Sequence, residues 1–340
     1  MSIIQDNKAL LGILAASYLS YGAYIYLRKY WESNRNSFVP IGIVKELYIY
    51  PIKSCKGKSV FSLYCGPKGT KHGEIQDRYF QVIEGDTGRF YTARKHPTLV
   101  LVDANIENGK LIVKFPQGNE VSVDLESVKS RRDVRKTTLH ANLRTDGLDC
   151  GEEISAAFSA YLNEKNVRVV FYTDDLFTER TSVSKSSFWM NNPVPKRIDD
   201  VAYADLAPFM VQTEASLHDL QALLPDKDLS QLNFRPGIVI DKCPAWDEDK
   251  WLDLRFGETE LQCYKPCTRC ILTTVNPKTG EKDPDMQPLK KLREVRMAPA
   301  GPMKKEFKDS PIFGVNAGLT RPGFIHVGQV VYARYKPSAF

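Results

Sequence analysis

Short strand-like runs recur along this chain from Ile41 onward, each cut off by a turn of Gly, Pro, Asn or Asp. Ile41–Tyr50, Ser59–Tyr64, Tyr79–Ile83, Thr98–Val102, Leu111–Phe115 and Glu120–Leu125 alternate or are rich in β-branched residues. Val167–Tyr172 closes the first half; Ile238–Ile240, Leu252–Arg255, Glu260–Tyr264, Ile271–Val275 and Gln329–Tyr335 resume the pattern. Side chains that alternate along short strands suit barrels and sandwiches, whereas a doubly wound sheet needs a helix between successive strands. Helices are scarce here. Glu153–Leu162 is one candidate and Thr213–Leu224 is a better one. In the second, Thr213 can cap the first turn, Glu214 complements the positive helix end, and Leu217, Leu220 and Leu224 share a face.

The predicted fold is therefore mainly β with some α (α+β). At about 150 residues per domain, 340 residues suggest two domains beyond any tail. We place them at residues 39–175 and 178–338, with a Ser-, Asn- and Pro-rich connector over Thr178–Arg197. Residues 1–38 read as a membrane anchor and linker. Ala9–Leu27 carries no charge and is just long enough to cross a bilayer as a helix, and Tyr30 and Trp31 supply interfacial aromatics. Arg28, Lys29 and Arg35 outweigh Glu32 on the far side, so the positive-inside rule puts the body in the cytosol. The net charge of +6 is mild and no nucleic-acid reading module is present, so no nucleic-acid partner is expected.

Seven cysteines, four of them scattered, form no disulfide framework and fit a reducing compartment. The other three fall within eight residues, as Cys263-x3-Cys267-x2-Cys270, with cations nearby that favour thiolate. A structural zinc site would need a second ligand pair, and the only downstream histidine, His326, is unaccompanied. The spacing also matches a thiolate triad for a four-iron cluster, though such triads sit early in α/β barrels. Three buried small hydrophobes are the bland reading. Cations near strand ends shift the balance: Lys53 beside Ser54, Arg78 after Asp77, and Arg235 before Ile238–Ile240. Strand-end cations with a strand-end thiol suggest a polyanionic organic cofactor tethered to a metal.

Tyr50-Pro51-Ile52-Lys53-Ser54-Cys55, Thr92-Ala93-Arg94, Asn233-Phe234-Arg235-Pro236 and Cys267-Thr268-Arg269-Cys270-Ile271-Leu272-Thr273-Thr274-Val275 occur in the order of the MOSC-domain molybdenum enzymes. The chain resembles that family, and its amidoxime-reducing branch in particular. The resemblance implies a MOSC N-terminal β-barrel-like domain followed by a MOSC β-barrel domain that binds molybdenum–molybdopterin. It makes Cys270 the metal ligand and catalytic residue, with Cys267 as neighbouring scaffold. Lys53, Ser54, Arg78, Asp205, Leu206, Arg235, Thr268 and Arg269 fall on cofactor-contacting positions. The family's Asp-Thr-Ser-Pro stretch reads Asp205-Leu206-Ala207-Pro208 here, so two hydroxyls are missing.

The implied activity is reduction of N-hydroxylated compounds such as amidoximes, hydroxylamines and nitrite. Electrons would come from NADH through cytochrome b5 reductase and cytochrome b5, at the mitochondrial outer membrane. No flavin or dinucleotide fingerprint appears in this chain, which agrees with an external donor. The run Lys129, Arg131, Arg132, Arg135 and Lys136 is either a steering patch for an acidic partner or a solvated loop. The alternative function is a non-catalytic molybdenum-cofactor carrier.

Overall fold

A computed structural model describes residues 18, 20–26, 37–139, 143–183 and 197–339. Most of the expected anchor, and the linker after it, lies outside the described residues. Residues 20–26 are helical, and no helix among the described residues is long and apolar enough to cross a membrane. Residues 40–340 form one compact unit.

The centre of that unit is a closed barrel of seven strands. Around the ring come Ile238–Asp241, Phe209–Thr213, Ile312–Arg321, Thr259–Thr268, Trp251–Phe256, Val330–Tyr335 and Val39–Ile49. Antiparallel pairing of Ile43 with Asp241 and Leu47 with Ile238 closes it. Phe209–Thr213 and Ile238–Asp241 are parallel, and the helix Glu214–Ala222 lies in the connection between them. Closure removes sheet edges, and the alternating apolar side chains then have one interior to fill. Leu47, Ile49, Val211, Ile238, Ile240, Leu254, Leu261, Val315 and Ala333 are fully or almost fully buried.

The remaining strands make smaller open sheets. One contains Phe80–Glu84 and Val167–Phe171, and another is the meander Asp103–Glu107, Lys110–Lys114 and Glu120–Asp124. The two halves of the chain share strands. Val39–Ile49 and Lys58–Val60 belong to the barrel sheet, while Gly323–His326 pairs with Ser62–Gly66.

Most predicted strands are present, and so are both predicted helices. Thr213 caps Glu214–Ala222 by accepting the Ser216 N–H at 3.1 Å, and Leu217, Leu220 and Leu224 are buried. Two expected strands are 3-10 turns instead. Pro97–Leu101 replaces Thr98–Val102: Pro97 supplies a ring already fixed for a helical first turn and has no N–H for a ladder. Ile271–Thr274 replaces Ile271–Val275, because the Thr273 and Thr274 hydroxyls donate to the Cys270 and Ile271 carbonyls at 3.0 and 2.8 Å. Such local bonds compete with a ladder. The connector contains a two-stranded ribbon, Thr181–Val183 with Ile198–Asp200, and the rest of it lies outside the described residues. The strand Ile312–Arg321 and the short helices Leu125–Arg131, Leu289–Val295 and Pro302–Phe307 were not anticipated.

Candidate functional site

Several strand ends converge on one cavity. Val39–Ile49 runs out into Tyr50–Ser54, Phe209–Thr213 starts after Asp205–Pro208, Ile238–Asp241 starts after Arg235, and Thr259–Thr268 ends just before Arg269 and Cys270. Lys53, Ser54, Arg78, Asp205, Leu206, Arg235, Thr268, Arg269 and Cys270 all line it, so every site residue expected from sequence comes to one place. Cys267, Asn233, Met210 and Asn316 complete much of the wall. Thr92-Ala93-Arg94 does not line it.

The three clustered sulfurs separate. Cys263 and Cys267 lie on the barrel strand and are buried, and burial pushes both thiols above the usual range. Cys270 is the one exposed cysteine of the seven. Among the described residues no group of three or more His, Cys, Asp or Glu side chains is placed to hold a metal ion. The strand before Cys270, rather than one after it, holds the thiol in position. Its own carbonyl accepts the Thr273 N–H at 3.1 Å and so starts the 3-10 turn.

Three lining residues other than glycine adopt left-handed backbone: Ser54 (φ 71°), Arg78 (φ 54°) and Arg235 (φ 56°). Such a conformation costs a side-chain-bearing residue about 1–2 kcal/mol, and it persists where surrounding bonds over-determine it. Those bonds are present. The Arg78 N–H donates to Tyr50 O at 2.7 Å, Lys53 N–H to Phe80 O at 2.7 Å, and Arg235 N–H to Gln231 O at 3.1 Å.

The charges do not balance. Lys53, Arg78, Arg235 and Arg269 line the cavity against only Asp77 and Asp205. Lys53 donates to Asp205 and, at 2.7 Å, to Tyr203 O. Burial nevertheless lowers its pKa to about 8, outweighing the carboxylate. Arg78 pairs with Asp77, while Arg235 has no carboxylate partner among the described residues. The Arg235 Nη2 is buried with no hydrogen-bond partner, and burial lowers the pKa of this guanidinium to about 10, which leaves it charged at neutral pH. A buried charge and an unmet donor are expensive unless a ligand answers them.

Arg269 is different: Nε and Nη2 donate to Phe313 O at 2.8 and 2.5 Å and Nη1 to Phe234 O at 2.8 Å. It braces the loop that carries Arg235. The donor set therefore fits an anionic ligand at the Arg78–Arg235 end and a thiolate-bound centre at Cys270.

Sequence reasoning missed Arg180, whose guanidinium donates to Ala204 O at 2.6 Å and Asp205 O at 2.9 Å. It clamps the loop where Leu206 and Ala207 stand without hydroxyls. Nothing local marked it, since it sits in the connector. Asp77 was visible only as the neighbour of Arg78. Tyr50 stands in a quoted motif, and its ring has Arg78 and Arg235 Cζ atoms 4.4 and 4.2 Å from its centroid.

Three of the five cations in the basic run are ion-paired. Lys129 bonds Glu126 at 2.6 Å, Arg132 bonds Asp175 at 2.6 Å, and Arg135 bonds Asp149 at 2.9 Å.

A barrel with a thiol and an excess of cations at its strand ends is the architecture of a MOSC protein. The chain matches the MOSC N-terminal beta barrel domain over residues 41–165 and the MOSC domain over residues 199–332. Among curated relatives, mitochondrial amidoxime-reducing component 1 of Danio rerio is 38% identical over 293 residues, covering 86% of this chain and 85% of its own. The human component 1 is 33% identical, covering 97% and 95%, and the Macaca fascicularis component 2 is 36% identical, covering 95% and 92%. The chain belongs to the mitochondrial amidoxime-reducing component family of MOSC-domain enzymes.

Proposed function

We propose that this protein is a molybdenum-dependent reductase of N-oxygenated compounds, with amidoximes, hydroxylamines and nitrite as its substrate classes. One observation carries the reading: a single exposed thiol, Cys270, shares a cavity with a surplus of buried and half-buried cations. A molybdopterin cofactor needs a soft thiolate for its metal and cations for its anionic tail, and this lining offers both. When bound, that group would supply electrons to an N–O bond: two electrons and two protons take an amidoxime or hydroxylamine to the amidine or amine and water, and one electron with two protons takes nitrite to nitric oxide and water.

The residues divide the work. Cys270 would ligate the metal and Cys267 would pack behind it. Arg78 and Arg235 would meet the anionic groups, with Ser54 and the backbone near it adding donors. Lys53 is held by Asp205 and Tyr203 O, so it supplies charge more than free N–H groups. Thr268 offers a hydroxyl beside the ligand, and Asp205 with the Leu206 backbone forms the facing wall. Arg269 acts through Phe234 and Phe313.

Electrons must come from outside, because the sequence has no flavin or dinucleotide fingerprint. Family resemblance makes cytochrome b5 and its NADH-dependent reductase the proposed donors. The relatives' names are mitochondrial, and family resemblance makes the outer membrane the proposed site; the uncharged stretch Ala9–Leu27 is the candidate for membrane attachment, and the cations after it give the proposed cytosolic orientation of the body. Protease protection of isolated mitochondria tests that orientation.

Metal analysis and benzamidoxime reduction by the wild type and Cys270→Ala test the reading. About one molybdenum per chain and loss of turnover in the variant are expected. Full activity in the variant would sink the reductase assignment. Bound cofactor with no turnover on any N-hydroxylated compound would favour the carrier.

A further inference from the structure

Tyr50 directly follows the first barrel strand, is fully buried and lies outside the cavity lining, yet two of the lining cations rest on it. The Arg78 and Arg235 guanidinium carbons are 4.4 and 4.2 Å from its ring centroid. Its remaining contacts fix the ring from the backbone side. The hydroxyl donates to Pro236 O at 3.1 Å, one residue beyond Arg235, and its N–H donates to Asp77 Oδ1 at 2.9 Å. The other oxygen of Asp77 is bonded to Arg78. Gly57 closes the ring's edge: a Cβ there would lie 2.3 Å from Tyr50 Cε1.

We infer that Tyr50 is a positioning residue whose ring aligns the Arg78 and Arg235 guanidiniums for an anionic group of the ligand. Two like charges held this close in a desolvated site repel each other, and an aromatic face attracts both. Arginine side chains also lose considerable rotamer freedom when they bind, and a stack that has frozen them beforehand removes that cost from the binding step. Arg235 depends on the ring most, since its Nη2 has no hydrogen-bond partner and, among the described residues, no carboxylate is in ion-pair contact with it. The aromatic–cation pair thus replaces the salt bridge that would otherwise occupy the donors the ligand requires.

The inference rests on the cavity taking a molybdenum–pterin group, and the test separates the two ideas. Holoprotein would be purified as wild type, Tyr50→Phe, Tyr50→Leu and Gly57→Ala. Molybdenum and pterin per chain, the rate of cofactor loss on dilution and the thermal midpoint would be measured for each. Tyr50→Phe keeps the ring and should lose cofactor within about twofold of the wild-type rate. Tyr50→Leu should lose it about tenfold faster, as expected for removing a desolvated stack. Gly57→Ala displaces the ring from a position outside the cavity lining and should accelerate loss severalfold.

A folded Tyr50→Leu protein that holds cofactor as the wild type does would overturn the inference. So would a Tyr50→Phe protein that loses it as fast as Tyr50→Leu, because the hydroxyl and not the ring would then matter. If Tyr50→Leu does not fold, an unchanged rate in Gly57→Ala overturns it instead. Wild-type protein with neither molybdenum nor pterin would remove the reading of the cavity, and this inference with it.

Discussion

The cavity and the surface run from Lys129 to Lys136 are both dense in cations, but they handle charge in opposite ways. On the surface, Lys129, Arg132 and Arg135 each meet a carboxylate, and most of these side chains are well exposed to solvent. In the cavity, four cations share two carboxylates and one guanidinium nitrogen is buried without a partner. Exposed ion pairs contribute little, because water and salt already screen the charges. Buried unpaired cations cost the apo protein stability and return it when an anion arrives. Charge density alone therefore does not mark a site; charge left unanswered in a dry place does.

The largest effect should come at the thiol those cations surround. Cys270→Ala is expected to cut benzamidoxime reduction by about a hundredfold or more, whereas Cys267→Ala should stay within several-fold. Equal losses would undo the distinction between an exposed ligand and buried scaffold.

The next effect is on stability against pH. Burial lowers Lys53 from 10.5 to about 8, so between those values the folded protein binds fewer protons at this group than the unfolded chain. Stability from Lys53 thus rises with pH through that window, and the full penalty applies below about pH 8. The stability of wild type relative to Lys53→Met should improve by up to about 3 kcal/mol between pH 8 and 10.5. Denaturant midpoints across that range measure it, and a flat difference would mean that Lys53 is not desolvated.

Arg235→Leu comes third. Loss of a charge-assisted contact of about 1.5–3 kcal/mol should lower cofactor retention about ten- to hundredfold, read as molybdenum per chain after dialysis. The smallest effect belongs to the surface. Arg132→Ala should change stability by no more than about 0.5 kcal/mol. Neutralising Lys129, Arg131, Arg132, Arg135 and Lys136 together should leave the rate of electron transfer and its salt dependence unchanged. A marked drop with a weaker salt slope would break the comparison by making the surface run a docking patch.

Much of the fold was legible locally. The Thr213 cap, the leucine face behind it and the alternating strands are short-range patterns, and tertiary contacts did not override them. Ile271–Thr274 was not legible, because β-branched residues favour strands until their hydroxyls find carbonyls three residues back. Ile312–Arg321 was missed for another reason. Gly314, Asn316 and Gly318 interrupt its pattern, and unbroken burial from Ile312 to Gly318 leaves little alternation to see. For the site, residue types and motifs named the lining, but Arg180 carried no mark at all.

By itself the sequence determined a β-rich chain, a cluster of three thiols, and the motifs whose resemblance to the MOSC family singles out Cys270 among them. Strand periodicity and motif chemistry are local, so they survive in one dimension. Only the tertiary structure decided which cations remain unpaired, which sulfur is exposed, and that one tyrosine ring lies against two arginines far apart in sequence. Burial, counter-charge and stacking are properties of neighbours in space: barrel closure brings Tyr50, Arg235 and Cys270 together, and the Arg78 N–H bond to Tyr50 O adds Arg78 from outside the barrel.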